Sequence, residues 1–285
     1  VKKILLPAAA AGLTLVLAAP SASGAPRPAR PGPPVVLSAS PAALTATELP
    51  CLPAKFDVTM TNTGTTPVFA DAFLEADRPL TLSDSVFSTY LPAADPDQPV
   101  SRPVKVRVPR GTTPGDYDIE LTTGRQRVVV PVTVEALPEP APGDNLAYGQ
   151  QATASSTHGS HAVCSAVDGD STYANWPGTG WSDGTRGTFP DWFTVTWPEQ
   201  VELGRIETVT YGAPGSPATR GIKDFDVQVK SGADWRTVGS YRGNTVDRVV
   251  TTFDPVTTDA VRVLVHSSNS GDYSRLLELE AYAPQ

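Results

Sequence analysis

The sequence predicts an all-β protein of two domains, on three observations. Short segments of alternating or β-branched residues recur from Val35 to the last residues, with turn residues between them. Over 35–136 no stretch of useful length repeats apolar residues at the helical period of 3.6. Proline-rich segments at 25–34 and 137–144 interrupt the pattern where spacers would lie. A length of 285 residues suits about two domains.

The elements follow in order. Lys2 and Lys3 precede an apolar stretch over 4–19, and Ala22-Ser23-Gly24 offers a small-residue cleavage site before Ala25. This is the grammar of a secretory signal at 1–24, and the stretch is too short and alanine-rich for a good spanning helix. A secreted, extracellular protein is expected, and Val1 in first position suggests a bacterial start codon other than AUG. Five prolines in 25–34 predict an extended spacer. Over 35–136, the segments VVLSAS, KFDVTMTN, PVFADAFLEA, VKVRV, YDIELT and RVVVPVTVE read as strands. Asn62-Thr63-Gly64 and Pro114-Gly115-Asp116 punctuate them as turns. Strands at this spacing predict an immunoglobulin-like sandwich. After the linker at 137–144, residues 145–285 supply DWFTVTWP, ELGRIETVTY, KDFDVQVK, WRTVGSYR, RVVTTF, AVRVLVHS and RLLELEAYA. Polar loops at 155–190 and 211–221 separate some of these strands.

Composition narrows the function. The chain has 22 Lys+Arg against 30 Asp+Glu, a net charge of −8, which argues against nucleic acid or an anionic membrane as main partner. No second long apolar run predicts membrane insertion. The two cysteines, Cys51 and Cys164, fall in different domains. They form either a bridge clamping the domains or two buried, unreactive thiols, since spacing does not show how close their Cα atoms come. All five tryptophans fall in 145–285, which points to that half for binding.

Residues 145–285 resemble the discoidin, or coagulation-factor type C, domain, and among bacterial proteins family 32 carbohydrate-binding modules. The motifs that carry the resemblance are NLAYGQQATASS at 145–156, AVDGD at 166–170, DFDVQVKSGADWRTV at 224–238 and SRLLELEAY at 274–282. It implies a jelly-roll, galactose-binding-like β-sandwich with binding loops at one end. VTMTNTGTTPV at 58–68 and VPRGTTPGDYDIEL at 108–121 make the first domain similar to the immunoglobulin-like domain associated with α-galactosidases and other secreted glycosidases.

The discoidin resemblance also implies a calcium ion (Ca2+) under the binding loops. Its ligands would be the side chains of Asp168, Thr172 and Glu278 and the carbonyls of Ser165, Asp170 and Leu277. Oxygen ligands alone suit a hard cation with a large shell. The family usually places its threonine five positions after the aspartate, whereas Thr172 stands four after Asp168. The competing reading is an Asx turn in which Asp168 caps its own backbone.

For a sugar, rings are needed to stack on C–H faces and polar groups to meet hydroxyls. The loop TYANWPGTGW offers Tyr173, Asn175, Trp176 and Trp181, with a core position at the loop base as the competing reading of Trp176. His158, His161, Arg220, Asn269 and Tyr273 lie on other loops. Trp181 and Arg220 lead this set. Tyr211 stands in place of an arginine common among galactose-binding relatives, so galactose itself is not assumed. Trp192, Trp197 and Trp235 sit in strand patterns and read as core.

Ser155, Ser156, His158, His161 and Asp168 lie close in sequence, yet no G-x-S-x-G elbow, H-E-x-x-H or P-loop accompanies them. His266 reads as structural. The sequence therefore predicts a secreted, non-catalytic protein whose C-terminal domain attaches to a polysaccharide or cell-wall glycan. Its N-terminal sandwich would be a spacer or a platform for a protein partner. The alternatives are an adhesion or matrix protein binding a protein or lipid headgroup, an accessory region of a glycosidase system, and a hydrolase with an unrecognised site. Polar, glycine-rich loops favour the sugar over lipid.

Overall fold

The structure is a computed structural model that describes residues 34–93 and 98–285. The expected signal peptide at 1–24 and the spacer at 25–34, apart from Pro34, lie outside the described residues.

The first half is a two-sheet sandwich. β1 (Val35–Ser40), β3 (Ala54–Asn62), β7 (Val100–Arg107) and β5 (Thr81–Leu82) form one sheet in that order. β2 (Leu44–Ala46), β9 (Gln126–Val134), β8 (Gly115–Thr123), β4 (Val68–Ala76) and β6 (Val86–Leu91) form the other. Side chains alternate as the sequence pattern requires. Phe56, Val58 and Met60 of β3 point inward, and so do Val130, Val132 and Val134 of β9. The Asn62 turn works through its side chain. Its Oδ1 accepts from Gly64 N at 2.8 Å, and its Nδ2 donates to the carbonyls of Thr66 and Pro92. The short strands β2, β5 and β6 were not evident in the sequence.

The second half is a curled sheet of β10 (Gln151–Ala154), β11 (Trp181–Ser182), β12 (Asp191–Thr210), β13 (Ile222–Ser231), β14 (Asp234–Tyr241), β15 (Arg248–Ser268) and β16 (Arg275–Tyr282). Its main path runs β11-β16-β12-β15-β13-β14, with β10 added to β12. Two pairs of predicted strands are continuous in the fold. DWFTVTWP and ELGRIETVTY merge into β12, and RVVTTF and AVRVLVHS merge into β15. Their shared ladder slips between Thr196 and Val201 and again between Leu203 and Arg205. Pro198 and Pro255 lie at these irregularities, where a missing N–H is tolerated. The bends fold the sheet over a core that includes Trp181, Phe193, Phe225, Ile206, Ile222 and Leu279.

Cys51 and Cys164 are bonded, with Sγ atoms 2.08 Å apart and Cα atoms 5.1 Å apart. Of the two readings of the cysteine pair, the bridge is the one the structure contains. No helix among the described residues is long and apolar enough to cross a membrane.

Candidate functional site

Two loop systems meet at one end of the C-terminal sandwich. The first runs through a 3-10 turn at Val163–Ala166, the acidic segment 168–172 and a second 3-10 turn at Tyr173–Asn175. Gly169 adopts φ +83°, a left-handed conformation that suits glycine. Asp168 Oδ1 accepts from Asp170 N at 3.0 Å, so the Asx turn exists. It is not the whole arrangement. Glu278, from β16, is 1 % exposed and reaches the same loop, where its Oε1 accepts from Gly169 N at 3.0 Å. Its Oε2 is buried without a hydrogen-bond partner. Burial pushes the Glu278 carboxyl up to about 8, helped by the neighbouring charges of Asp168 and Glu280. Burial also raises the Asp168 carboxyl above its ordinary range.

The threonine at the centre of this cluster is Thr179, not Thr172. Thr179 is 2 % exposed. Its hydroxyl lies 2.8 Å from the Asp170 carbonyl, 3.3 Å from the Ser165 carbonyl and 3.5 Å from Asp168 Oδ1. Thr172 is exposed, and its N–H donates to Asp170 Oδ1 at 2.9 Å. The Tyr173–Asn175 turn intervenes before the chain returns, so the threonine that comes back to Asp168 is eleven positions later. Leu277 stands at a bulge, because β12 pairs Val209 with Glu278 but Thr210 with Leu276.

Among the described residues no three His, Cys, Asp or Glu side chains converge. A cation at this cluster would therefore draw on two carboxylates, a hydroxyl and carbonyls. Such an oxygen set suits calcium and not zinc. The orphaned Glu278 Oε2 beside a second carboxylate is the observation that fits a cation-binding oxygen set.

The second system is a run of rings beside the first. His161 lies 4.3 Å from Trp176 between centroids, Trp176 lies 4.7 Å from Tyr211, and Tyr211 lies 4.9 Å from Tyr173. His158 extends the group toward His161 at 6.0 Å and Tyr273 at 5.7 Å. All six are exposed or half-buried. Gly180 makes room for this packing, since a Cβ there would sit 2.8 Å from the Trp176 ring and 2.6 Å from the Leu276 carbonyl. His161 Nδ1 lies 3.2 Å from the Gly180 carbonyl, which makes Nδ1 the donor and leaves Nε2 as an acceptor on the neutral ring. Burial lowers the His161 pKa and favours that neutral form.

Several predicted ligand residues do other work. Trp181 is fully buried, its ring 5.4 Å from Phe193 and its Nε1 donating to the Ser156 carbonyl at 3.0 Å. It is a core residue and not a platform, because β11 carries it beneath the loops. Asn269 donates both amide hydrogens to backbone, to the Ala218 and Asn244 carbonyls, and so pins loops together. Asn175 donates to Asp170 Oδ2 at 2.7 Å and stiffens the acidic loop. Arg220 is exposed, near enough for its charge to act on Tyr211. Trp176, for which the sequence left a ligand ring and a core position in competition, is half-buried within the ring cluster. Tyr211, just past the end of β12, is a ring contact that residue types alone did not reveal. An aromatic at a strand-to-loop junction was its available signal.

Of the other tryptophans, Trp197 is core, with Nε1 donating to the Leu146 carbonyl at 2.7 Å. Trp192 and Trp235 are half-buried, and the Arg262 guanidinium covers Trp235 at 4.3 Å from its centroid. His266 pairs with Asp226 at 2.8 Å. Ser155 donates to Asp191, whereas Ser156 lies 3.5 Å from the Thr185 hydroxyl. Neither contacts a histidine. His158 meets Ser160 at 2.9 Å across a local, exposed turn.

Comparison with known proteins agrees with this architecture. Residues 165–263 match the F5/F8 type C family model described as the NedA-like, galactose-binding domain. Residues 165–263 are thus similar to a galactose-binding-like domain of the discoidin kind. Similar solved structures include chitosan-binding module 1 from a chitosanase/glucanase of Paenibacillus sp. IK-5. It is 26% identical, covers 49% of this chain and 99% of its own, and has a TM-score of 0.41. The lectin domain of lectinolysin complexed with Lewis B antigen is 23% identical over 51% of this chain and 100% of its own, with a TM-score of 0.42. A fucose binding module from Streptococcus pneumoniae is 19% identical over 52% of this chain and 100% of its own, with a TM-score of 0.44. No curated protein matches the chain.

Proposed function

We propose that the C-terminal domain binds a glycan on the ring cluster of His161, Trp176, Tyr211 and Tyr173, and that the chain is a secreted, non-catalytic attachment protein. The observation that carries this reading is the cluster itself. Four rings within 5 Å of their neighbours lie at the loop end of a galactose-binding-like domain. Sugar C–H faces stack on such rings, and the acceptor Nε2 of His161, with His158 and Arg220 nearby, suits hydroxyls. Calcium fits the adjacent oxygen cluster. Asp168, Thr179 and Glu278 would hold it by side chains, and Ser165, Asp170 and Leu277 by carbonyls. A bound ion would neutralise the two carboxylates and fix the loop that carries Tyr173 and Trp176. The Cys51–Cys164 bond supports an oxidising, exported setting.

The test is a glycan array on the full chain, followed by titration of the selected sugar into Trp176→Ala. Loss of one stacking ring is expected to weaken binding by about 1 kcal/mol, roughly fivefold. Equal affinity in the variant would move the site elsewhere. The protein is also expected to release no reducing sugar from polysaccharide panels. Turnover that survives repurification and vanishes in His158→Ala would replace attachment by hydrolysis.

One observation favours a second contact on the N-terminal sandwich. Phe69 is 81 % exposed and lies 5.1 Å from Tyr90 between centroids, with Phe73 and Val86 exposed on the same sheet. Such a patch suits a protein partner for this domain.

A further inference from the structure

We infer that the Leu49–Leu52 turn of the N-terminal sandwich, fastened by the Cys51–Cys164 bond, positions the ligand loops of the C-terminal domain. The first sandwich is then a working part of the site and not a spacer. The inference deepens the proposed glycan-binding function and rests on it for its affinity readout.

Cys51 belongs to the C-terminal core by packing, although its chain position is in the first sandwich. It is 7 % exposed and joins the cluster that holds Ala147, Ala166 and Val167. Two backbone hydrogen bonds continue from it. Cys51 N donates to the Gly149 carbonyl at 3.1 Å, and Gly149 N donates to the Val167 carbonyl at 2.7 Å, one residue before Asp168. Leu49 and Leu52 press on the same point. A Cβ on Gly149 would lie 2.7 Å from Leu52 Cδ1 and 3.1 Å from Leu49 Cδ1. Arg110 adds a side tie to Gln150 at 3.4 Å.

The covalent arm reaches the rings through two residues. Cys164 lies within the Val163–Ala166 turn, and the carbonyl of the next residue, Ser165, accepts from Gly180 N at 2.7 Å. The Gly180 carbonyl in turn meets His161 Nδ1, and the bare Gly180 Cα lies under Trp176. Cys51 is thus linked through Cys164, Ser165 and Gly180 to both His161 and Trp176. The two 3-10 turns carry no side-chain cap, and β11 is the sole strand between residues 155 and 190. A loop ordered before binding does not have to be ordered by the ligand, so the clamp raises affinity without touching sugar.

The experiment uses the full chain with a Cys51→Ser/Cys164→Ser double substitution. Hydrogen exchange is followed well below the melting temperature, beside titration of the glycan that the unsubstituted protein selects on an array. Faster exchange concentrated in residues 161–180 is expected, with roughly tenfold weaker binding, as when a supporting shell is removed. Unchanged exchange in that segment, or a uniform rise across β12, β13 and β15, would overturn the inference. If the double variant fails to fold, Leu52→Ser with the bond intact is measured in the same way, and the same two exchange patterns support or overturn the clamp. A native protein that selects no glycan would sink the glycan reading alone. The exchange pattern would still decide whether the first sandwich holds the loops.

Discussion

Trp181→Ala is expected to unfold the C-terminal domain far below the temperature at which the native protein melts. Trp181 is 0 % exposed and packs on Phe193. Its two-residue strand pairs Trp181 with Leu276 and Ser182 with Arg275. Removing the indole deletes one of the largest fully buried side chains in the molecule and leaves a cavity beneath the loops. Aromatic-to-alanine changes in cores cost about 3–5 kcal/mol. The Ser156 carbonyl would also lose its indole donor, an added penalty if water does not replace it. For a domain of this size the sum corresponds to a fall in melting temperature on the order of 10 °C. Trp181→Phe keeps most of the packing and should fall much less. Calorimetry of both variants decides the matter. A midpoint for Trp181→Ala equal to that of the native protein would place the ring outside the core.

That prediction reverses what the sequence suggested, and the reason is physical. TYANWPGTGW has no alternation, because a two-residue strand is too short to show a period of two. Nothing in the segment showed which tryptophan is buried: Trp181, expected on the surface, lies in the core, and Trp176, for which a core position competed, lies half-buried among the rings. The long strands were legible for the opposite reason. β3, β9, β13 and β16 each carry enough alternating or β-branched residues to declare themselves. Where Pro198 and Pro255 interrupted the pattern, a stop was read in place of a bulge.

Residue type misled where a polar or aromatic side chain had structural work, and spacing misled where the loop took an extra turn. Glu278 reaches the loop beside Asp168, its Oε1 accepting from Gly169 N, and the resemblance to discoidin domains had named these two carboxylates as cation ligands. The threonine did not follow from counting, since the loop carries an extra turn before Thr179. Asn269 looked like a ligand donor because its amide is polar and on a loop, yet both hydrogens close backbone carbonyls. The cysteine bridge needed coordinates, because sequence separation says nothing about a Cα distance of 5.1 Å.

Calcium is expected to raise the melting temperature of the C-terminal domain by several degrees, and EDTA to remove that gain. In the absence of a cation, Glu278 is a buried carboxyl with one unpartnered oxygen beside Asp168, an arrangement that costs stability whenever both are ionised. A ligand that binds only the folded domain adds RT ln(1 + [L]/Kd), about 2.7 kcal/mol at a hundredfold excess over Kd. Magnesium should restore less, because it prefers a small octahedral shell and retains its waters. Substitutions separate the ligands from their neighbours. Glu278→Gln and Asp168→Asn should abolish the calcium response, and Thr179→Val should weaken it by removing the central hydroxyl. Thr172→Val should leave it intact, since Thr172 only extends the Asp170 turn. The opposite order for the two threonines would return the site to the spacing first expected. Melting curves that ignore both calcium and EDTA in the native protein, with no metal found after calcium soaking, would reduce the acidic loop to an Asx turn capped by its own backbone.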